Sequence, residues 1–238
     1  MSLIFAHRGW SGRYPENTVL AFEKALEAGA DGIELDVQLS KDGEVMVFHD
    51  ESLERVTGYA GNIRDLTRAE LEKLNVTAGF GGQYGENGIP TLRAYCRLVK
   101  DTCVQTNIEI KSNHWYYPQL EEKTVAVVRE FGLADRVMFS SFNHVSVMRC
   151  RRLAPEIPAG LLWKGPILGN AAQFCHDSDL AFFNADGRYL TDEIAASLTA
   201  LQIRQLPWAT DDPELLRREQ DWGVYGVLTN DPDCLLPR

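Results

Sequence analysis

Asn107-Ile108-Glu109-Ile110-Lys111 is a short, mostly apolar run with the length of a β-strand. A segment of helical length follows at 119–131, and Val137-Met138-Phe139-Ser140-Ser141 is a second strand-like run. A strand, a helix and another strand in this order are typical of two parallel strands joined by a crossover helix. The centre of the chain therefore predicts an α/β fold built on a parallel sheet.

The same alternation continues in both directions from this stretch. Eight parallel strands are predicted at 3–5, 32–39, 107–111, 137–141, 159–163, 181–184, 203–208 and 224–229. Helices are predicted at 19–28, 92–103, 119–131, 144–153, 171–176, 192–201 and 213–222. Eight such units in 238 residues predict a closed TIM (β/α)8 barrel. The alternative is an open doubly wound sheet, but the first turn lacks the G-x-G-x-x-G pattern of its dinucleotide-binding form.

We expect one domain spanning residues 1–238, with an insertion at 50–90 after the second strand. Lys41-Asp42-Gly43 predicts a hairpin that leads into an antiparallel arm at 45–48. Beyond it the pattern loosens to a short helix at 68–74 and a glycine-rich run at 79–85. That run lacks the Gly-Lys-Ser/Thr ending of a phosphate-binding loop. We interpret it as a flexible insertion or lid, and the alternative is a surface loop with no role.

The composition excludes several classes of protein. Hydrophobic residues make up 45% and charged residues 24%, the balance of a globular protein, and the net charge of -10 disfavours nucleic acid and anionic membranes as partners. The five cysteines form no C-x-x-C pair, so we expect neither a disulfide framework nor a zinc site.

The same features predict a cytoplasmic protein. An odd number of cysteines without C-x-x-C spacing suits a reducing compartment. The first residues carry no basic segment of a secretory signal, and no apolar run approaches the ~20 residues of a membrane span, so we expect no stable membrane insertion. The oligomeric state is left open, a homodimer included.

Charged side chains cluster where the predicted strands end. His7 and Arg8 follow the first strand, and His49 follows the antiparallel arm. Side chains two residues apart on a strand share a face, so Glu34 and Asp36 point the same way, as do Glu109 and Lys111. Because barrels carry their chemistry at the carboxyl ends of the strands, we expect these groups to converge there.

Three carboxylates in one place predict a cation. Glu34, Asp36 and Glu109 would repel one another without a counter-charge, and ligation by oxygen alone favours Mg²⁺ or Ca²⁺ over zinc. The alternative for Glu34 and Asp36 is pairing with a neighbouring Arg or Lys. Arg8 and Lys111 suit a phosphate group, although Lys111 could instead pair only with Glu109.

Taken together, these residues resemble the glycerophosphodiester phosphodiesterase family over nearly the whole chain. The motifs that carry the resemblance are His7-Arg8-Gly9, Pro15-Glu16-Asn17-Thr18, Glu34-Leu35-Asp36-Val37, Lys41-Asp42-Gly43, Val47-Phe48-His49-Asp50, Leu53-x-Arg55-x-Thr57 and Glu109-Ile110-Lys111. The resemblance implies a TIM barrel that uses a divalent metal to hydrolyse glycerophosphodiesters, such as glycerophosphocholine or glycerophosphoethanolamine, to glycerol 3-phosphate and an alcohol.

The resemblance also implies roles for individual residues. His7 and His49 would be the general acid and base, in an order that the sequence leaves open. Glu34, Asp36 and Glu109 would hold the metal, and Arg8, Lys111 and Trp208 would contact the substrate. The nucleophile could be water or the 2-hydroxyl of the glycerol.

Towards the carboxyl terminus the chain departs from the family pattern at two places. Trp208-Ala209-Thr210-Asp211 stands where the family often shows Trp-Thr-Val-Asn, and Thr229-Asn230-Asp231-Pro232 where it often shows Thr-Asp-x-Pro. We expect Asp211 to cap the helix that follows, as Asn would. No aspartate is available at position 230.

Three other functions are possible. A phospholipase D acting on lysophospholipids would need an apolar rim, which is not obvious in the sequence. A barrel that binds phosphodiesters without cleaving them, and a metal-dependent sugar isomerase, are less compatible with the two histidines and the two cations. Loop aromatics at 115–117 could hold a choline-like cation or simply pack.

Overall fold

The computed structural model describes residues 2–77, 79–208 and 211–235. Its strands are β1 Leu3–His7, β2 Gly32–Leu39, β3 Val45–Val47, β4 Gln105–Ile110, β5 Val137–Ser141, β6 Ala159–Trp163, β7 Phe182–Ala185, β8 Arg204–Gln205 and β9 Gly226–Thr229. The α-helices are α1 Val19–Ala28, α2 Glu54–Thr57, α3 Arg68–Leu71, α4 Leu92–Val99, α5 Leu120–Glu130, α6 His144–Leu153, α7 Ala171–Asp177, α8 Asp192–Ala200 and α9 Pro213–Asp221. Short 3₁₀-helices lie at Ile63–Asp65, Gly187–Tyr189 and Pro232–Cys234.

Eight parallel strands form the sheet, in the order β8-β7-β6-β5-β4-β2-β1-β9, and β3 pairs with β2 in the antiparallel sense. Two backbone hydrogen bonds bring the ends of this order together. The Tyr225 amide donates to the Gln205 carbonyl at 2.9 Å, and the Leu228 amide donates to the Pro207 carbonyl at 3.2 Å. The predicted TIM barrel is therefore confirmed, and the open sheet is excluded.

Several predicted elements are shorter in the structure. The helix predicted at 68–74 ends at Leu71, and the strand predicted at 224–229 begins at Gly226. The strand predicted at 203–208 is only Arg204–Gln205, because Pro207 has no N–H to donate to a ladder. Pairing resumes one residue later, where the Trp208 amide donates to the Ala185 carbonyl at 3.0 Å. The helix predicted at 92–103 ends at Val99.

The barrel has two apolar layers because alternate residues of each strand face opposite ways. Side chains such as Ile33 and Leu35 pack outward against the helices. A smaller cluster fills the barrel interior: Phe5, Met138, Phe182, Leu206 and Leu228. Glycine makes room for it, since a Cβ at Gly32 would lie 2.3 Å from the Phe5 ring. The interior is thus plugged below the carboxyl ends of the strands.

The segment 50–90 has an apolar cluster of its own. Its buried members, with the two contributed by the β3 arm, are Met46, Phe48, Leu53, Ile63, Leu71, Val76 and Ile89. The glycine-rich part of this segment lies against the loop after β1. There the Tyr84 hydroxyl donates to the Arg13 carbonyl at 2.7 Å, and the Tyr84 and Tyr14 rings are 5.2 Å apart.

No helix in the described part of the chain is both long and apolar enough to cross a membrane.

Candidate active site

A cavity of about 930 Å³ opens at the carboxyl ends of the strands. Its polar wall contains His7, Arg8, Glu34, His49, Asn107, Glu109 and Lys111. Its apolar lining includes Phe142, Leu162, Trp208 and Leu228, and the polar side chains of Asn143, His144 and Lys164 also border it. Nearly all the residues predicted from the sequence to form the site therefore border one cavity, and the remaining one, Asp36, lies buried directly beside it.

The end of β1 turns sharply to aim a backbone group into the barrel. Arg8 has a φ of 56° and Gly9 a φ of 76°. A Cβ at Gly9 would lie 2.8 Å from the Ala21 carbonyl carbon, so α1 approaches too closely for any other residue. In this conformation the Arg8 amide donates to Glu34 Oε2 at 3.0 Å.

The three predicted carboxylates are neighbours because of the sheet register. Glu34 lies opposite His7 on β1, and Asp36 lies opposite Glu109 on β4. All three acids are buried, and their carboxylate oxygens lie within 4.8 Å of one another. Strands that are far apart in sequence thus bring together an all-oxygen cluster.

The electrostatics of this cluster leave room for a cation. Burial, with Asp36 and Glu109 nearby, raises the pKa of Glu34 well above its usual range. Burial opposes ionisation of Asp36 as well, but His49, Lys111 and Arg8 hold its pKa below the usual range. Asp36 Oδ1 is buried and accepts no hydrogen bond from the described residues. A hard divalent ion would supply that partner and favour the ionised form of all three acids.

The two fixed cations lie against the acids. Lys111 Nζ donates to Glu109 Oε1 at 2.9 Å and lies 3.6 Å from Asp36 Oδ1. Arg8 Nε lies 3.6 Å from Asp36 Oδ2. The alternative of pairing with Arg or Lys is therefore present in part. Arg8 and Lys111 do not favour the ionised form of all three acids, however, because the pKa of Glu34 stays raised beside them.

His7 is held by residues near the end of the chain. Its Nδ1 lies 2.8 Å from Asn230 Oδ1, and its Nε2 faces Glu34 Oε2 at 3.8 Å. Asn230 Nδ2 in turn donates to Asp211 Oδ2 at 2.8 Å. The expected capping role of Asp211 is wrong. Asp212 is the N-cap of α9, so the side chain of Asp211 is free to turn towards β9.

His49 is held by its own neighbour in sequence. Its Nδ1 lies 2.6 Å from Asp50 Oδ1, and Arg55 Nε donates to Asp50 Oδ2 at 2.5 Å. The Arg55 guanidinium also donates hydrogen bonds to both carboxylate oxygens of Glu16, at 2.7 and 2.8 Å. Glu16 accepts a further hydrogen bond from Arg8 at 2.9 Å. Arg55 thus connects the segment around His49 to the end of β1.

The sequence predicted no role in the site for these supporting residues; Asn17 was expected, with Thr18 as the alternative, to cap α1, and Thr18 is the cap. Asp50, Arg55, Glu16 and Asn17 all fall inside the quoted motifs, which was the available signal. Asn17, at a φ of 55°, donates from Nδ2 to Asp36 Oδ2 at 2.8 Å. The partners of these side chains come from other elements, so spacing within a motif could not reveal them.

Trp208, predicted to contact the substrate, borders the cavity. Its indole N–H donates to the Asn184 carbonyl at 3.1 Å, and its ring packs edge-on against Phe142 with centroids 5.7 Å apart. Two residues of the same motif, Ala209 and Thr210, lie outside the described residues.

The loop aromatics do not form a cation-binding box at the cavity. The Arg64 guanidinium lies 3.3 Å from the centroid of the Trp115 ring and covers that face. Tyr117 is buried and donates its hydroxyl to Gln38 at 2.9 Å. Tyr116 is exposed and lies beside Arg149. Of this loop, Asn113 and His114 reach the cavity.

Comparisons with known proteins agree with this geometry. The model of the glycerophosphoryl diester phosphodiesterase family matches residues 7–234. A glycerophosphodiester phosphodiesterase from Caldanaerobacter subterraneus subsp. tengcongensis is 38% identical, covering 99% of this chain and 96% of the relative. One from Bacillus altitudinis is 37% identical, covering 98% and 96%.

Solved structures show the same architecture. A phosphodiesterase from Oleispira antarctica, in complex with the product sn-glycerol-3-phosphate, has a TM-score of 0.87 and 28% identity, covering 99% of this chain and 95% of that one. A glycerophosphodiester phosphodiesterase from Thermotoga maritima has a TM-score of 0.78 and 30% identity, covering 98% and 96%. The chain belongs to the glycerophosphoryl diester phosphodiesterase family of enzymes.

Proposed function

We propose that this chain hydrolyses glycerophosphodiesters, such as glycerophosphocholine or glycerophosphoethanolamine, to sn-glycerol 3-phosphate and an alcohol, with Mg²⁺ or Ca²⁺ as cofactor. The observation that carries the proposal is the buried cluster of Glu34, Asp36 and Glu109, in a cavity that His7 and His49 also border. The product bound in the Oleispira antarctica relative supports the same substrate class.

The metal would be held by Glu34, Asp36 and Glu109. Their oxygens are close enough to share one ion, and the orphaned Oδ1 of Asp36 fits such a ligand role. When bound, the ion supplies positive charge that offsets the charge of the phosphodiester and stabilises charge that develops in the transition state. The donor set does not distinguish Mg²⁺ from Ca²⁺.

The remaining charged residues have matching tasks. A phosphodiester is an anion that repels nucleophiles, so Arg8 and Lys111 bind its oxygens and reduce that repulsion. His7 and His49 act as the general acid and base: one removes the proton of the attacking hydroxyl, and the other protonates the leaving alcohol. Trp208, in the apolar lining, contacts the carbon skeleton of the substrate.

The proposal extends to the organisation of the protein. Residues 1–238 act as one catalytic domain, and the insertion at 50–90 contributes Arg55 to the support of the site. The substrate is a small molecule. All five cysteines are free, which supports a reducing setting such as the cytoplasm.

The test is release of sn-glycerol 3-phosphate from glycerophosphocholine and glycerophosphoethanolamine, coupled to its dehydrogenase. We expect product from the wild type, loss of product after EDTA, and recovery with Mg²⁺ or Ca²⁺. The matched control is His176→Ala, which changes an exposed histidine on α7 away from the cavity and leaves activity unchanged. If neither diester yields product with either metal, the proposal is wrong.

A second candidate function is cleavage of lysophospholipids in the manner of a phospholipase D. A recess of about 190 Å³ adjoins the main cavity and shares His144 with it, and apolar side chains including Trp163, Leu168 and Phe174 line it. Leu168 and Phe174 are exposed, so the apolar rim that the sequence did not reveal is present at this edge. Release of choline from lysophosphatidylcholine, with no glycerol 3-phosphate from glycerophosphocholine, would favour this function.

A further inference from the structure

We propose that Asp211 and Asn230 form a carboxylate–amide pair that fixes the tautomer and orientation of His7, and that the pair would work equally well with its two members exchanged. Both are positioning residues, since they act through His7. The inference rests on the proposed function where it is tested by kcat, but not where it is tested by the tautomer of His7.

The carboxylate decides which way the amide points. Asp211 Oδ2 lies 2.8 Å from Asn230 Nδ2, and the hydrogen bonds from Asn230 and Thr229 keep the pKa of Asp211 below its usual range in spite of burial. An ionised carboxylate only accepts hydrogen bonds, so the amide must present its N–H₂ group to it. The flipped amide would place two acceptors 2.8 Å apart.

The amide then decides which nitrogen of His7 carries the proton. With its N–H₂ group turned to Asp211, Asn230 presents Oδ1 to His7 Nδ1 at 2.8 Å. An amide oxygen can only accept, so Nδ1 of the neutral imidazole is protonated and donates. The lone pair is left on Nε2, the atom that faces the carboxylate cluster 3.8 Å from Glu34 Oε2. The Ser11 hydroxyl, 3.1 Å from Oδ1, is compatible with this orientation.

Every atom of the pair would keep its partner if the two residues were exchanged. Asp211 Oδ1 accepts from the Thr229 hydroxyl at 2.8 Å and from the Asn230 backbone N–H at 2.9 Å. An amide oxygen at position 211 could accept both bonds, and its N–H₂ group could donate to a carboxylate at position 230. That carboxylate would accept from His7 Nδ1 as the amide does. Two residues that lie 19 positions apart in the chain therefore form one pair whose members are interchangeable.

Single exchanges break this match. Asn230→Asp alone would put two carboxylates in contact, and Asp211→Asn alone would face two amides and free the one at position 230 to flip. Both mismatches disturb the side chain at position 230, whose oxygen accepts the hydrogen bond from His7 Nδ1. We expect the loss of a residue that orients a catalytic histidine to cost about 10–100-fold in activity, the range that is typical of residues orienting metal-ligating histidines.

The experiment compares the wild type with Asp211→Asn, Asn230→Asp and the double exchange. Each single variant is expected to lower kcat at least tenfold with KM within about twofold, because the substrate contacts are unchanged. The double exchange is expected to recover kcat to within about fivefold of the wild type, since it restores the hydrogen bonds. Asp233→Asn is the matched control: it removes the same charge three residues from Asn230, at an exposed site that contacts Arg13, and should leave kcat unchanged.

The second readout is the tautomer of His7, from ¹⁵N chemical shifts of histidine-labelled protein, with its signals assigned by their loss in His7→Gln. The wild type and the double exchange should show protonated Nδ1, and Asp211→Asn a mixture of tautomers. Asn230→Ala, which removes the acceptor without adding charge, should also show a mixture, and it serves if Asn230→Asp does not fold.

The outcomes separate this inference from the proposed function. Single variants with wild-type kcat and tautomer, or a double exchange no better than its worse parent, would overturn the inference while the proposed function stands. A wild type inactive on glycerophosphodiesters would remove the proposed function, and the tautomers would still decide the inference.

Discussion

The two histidines of the site are supported in different ways. His7, at the end of β1, contacts the neutral amide of Asn230, which follows it by 223 residues. The ionised Asp211 carboxylate lies behind that amide and contacts it, not His7. His49, after the β3 arm, contacts a carboxylate on the next residue, and Arg55 holds that carboxylate in turn. One histidine depends on the pairing of β1 with β9, and the other on a local loop and its inserted segment.

This difference bears on the order of proton transfer. His7 has a protonated Nδ1, a free lone pair on Nε2 and no negative charge on its supporting side chain. Burial and the nearby Arg8 charge lower its pKa to about 4, so that its imidazole is neutral at pH 7. We therefore expect His7 to be the base, which leaves the acid role to His49.

The largest effect should come from the histidines themselves. His7→Ala and His49→Ala should each lower kcat on glycerophosphocholine about 10²–10⁴-fold. With a glycerophosphodiester of p-nitrophenol, whose leaving group needs no proton, His49→Ala should regain most of its activity while His7→Ala should not. The measurement is kcat on both substrates. Rescue of His7→Ala alone would reverse the assignment of acid and base.

A smaller effect is expected from the carboxylate beside His49. Asp50→Asn keeps the shape of the side chain but gives His49 an amide like the one that supports His7, and kcat should fall about 10–100-fold. Asp65→Asn, an exposed acid in the same insertion, is the matched control. If Asp50→Asn is as active as the wild type, the contrast between the two supports has no functional meaning.

A still smaller effect is expected from Arg55, which touches the histidine only through Asp50. Arg55→Gln should reduce kcat about three- to tenfold, because Asp50 and Glu16 lose their shared donor while Asp50 keeps its contact with His49. Arg68→Gln breaks an exposed pair with Glu72 in the same insertion and should change nothing. Steady-state kinetics of both variants test this, and equal losses would argue against a specific link.

The smallest effect is on stability in acid. Hydrogen bonds from His49 and Arg55 hold the pKa of Asp50 below its usual range, against the effect of burial. A depressed carboxyl pKa contributes stability above the unfolded pKa near 4, and this contribution is lost as the pH falls through the folded value. The wild type should exceed Asp50→Asn by about 1 kcal/mol at pH 7, and the gap should shrink below pH 4. Urea unfolding at pH 7 and pH 3.5 measures it, and a constant gap would contradict the link.

Much of the fold and of the carboxylate cluster could be predicted from the sequence. The alternation of strands and helices is a local pattern, and side chains two apart on a strand must share a face, as Glu34 and Asp36 do. The early end of β8 was not predicted, although Pro207 is plain in the sequence. Whether a proline interrupts a strand depends on which neighbouring strand needs its missing N–H group.

Local spacing in the sequence is thus sufficient to predict the class of fold and the types of residue that gather at the carboxyl ends of the strands. Which side chains support the two histidines depends instead on how the strands pair in the folded barrel. The contact of His7 with Asn230 exists because β9 pairs with β1, and local propensity does not specify the register of strands that lie more than two hundred residues apart. For the same reason Asp211 and Asn230 are two unrelated departures in the sequence but one pair in the barrel.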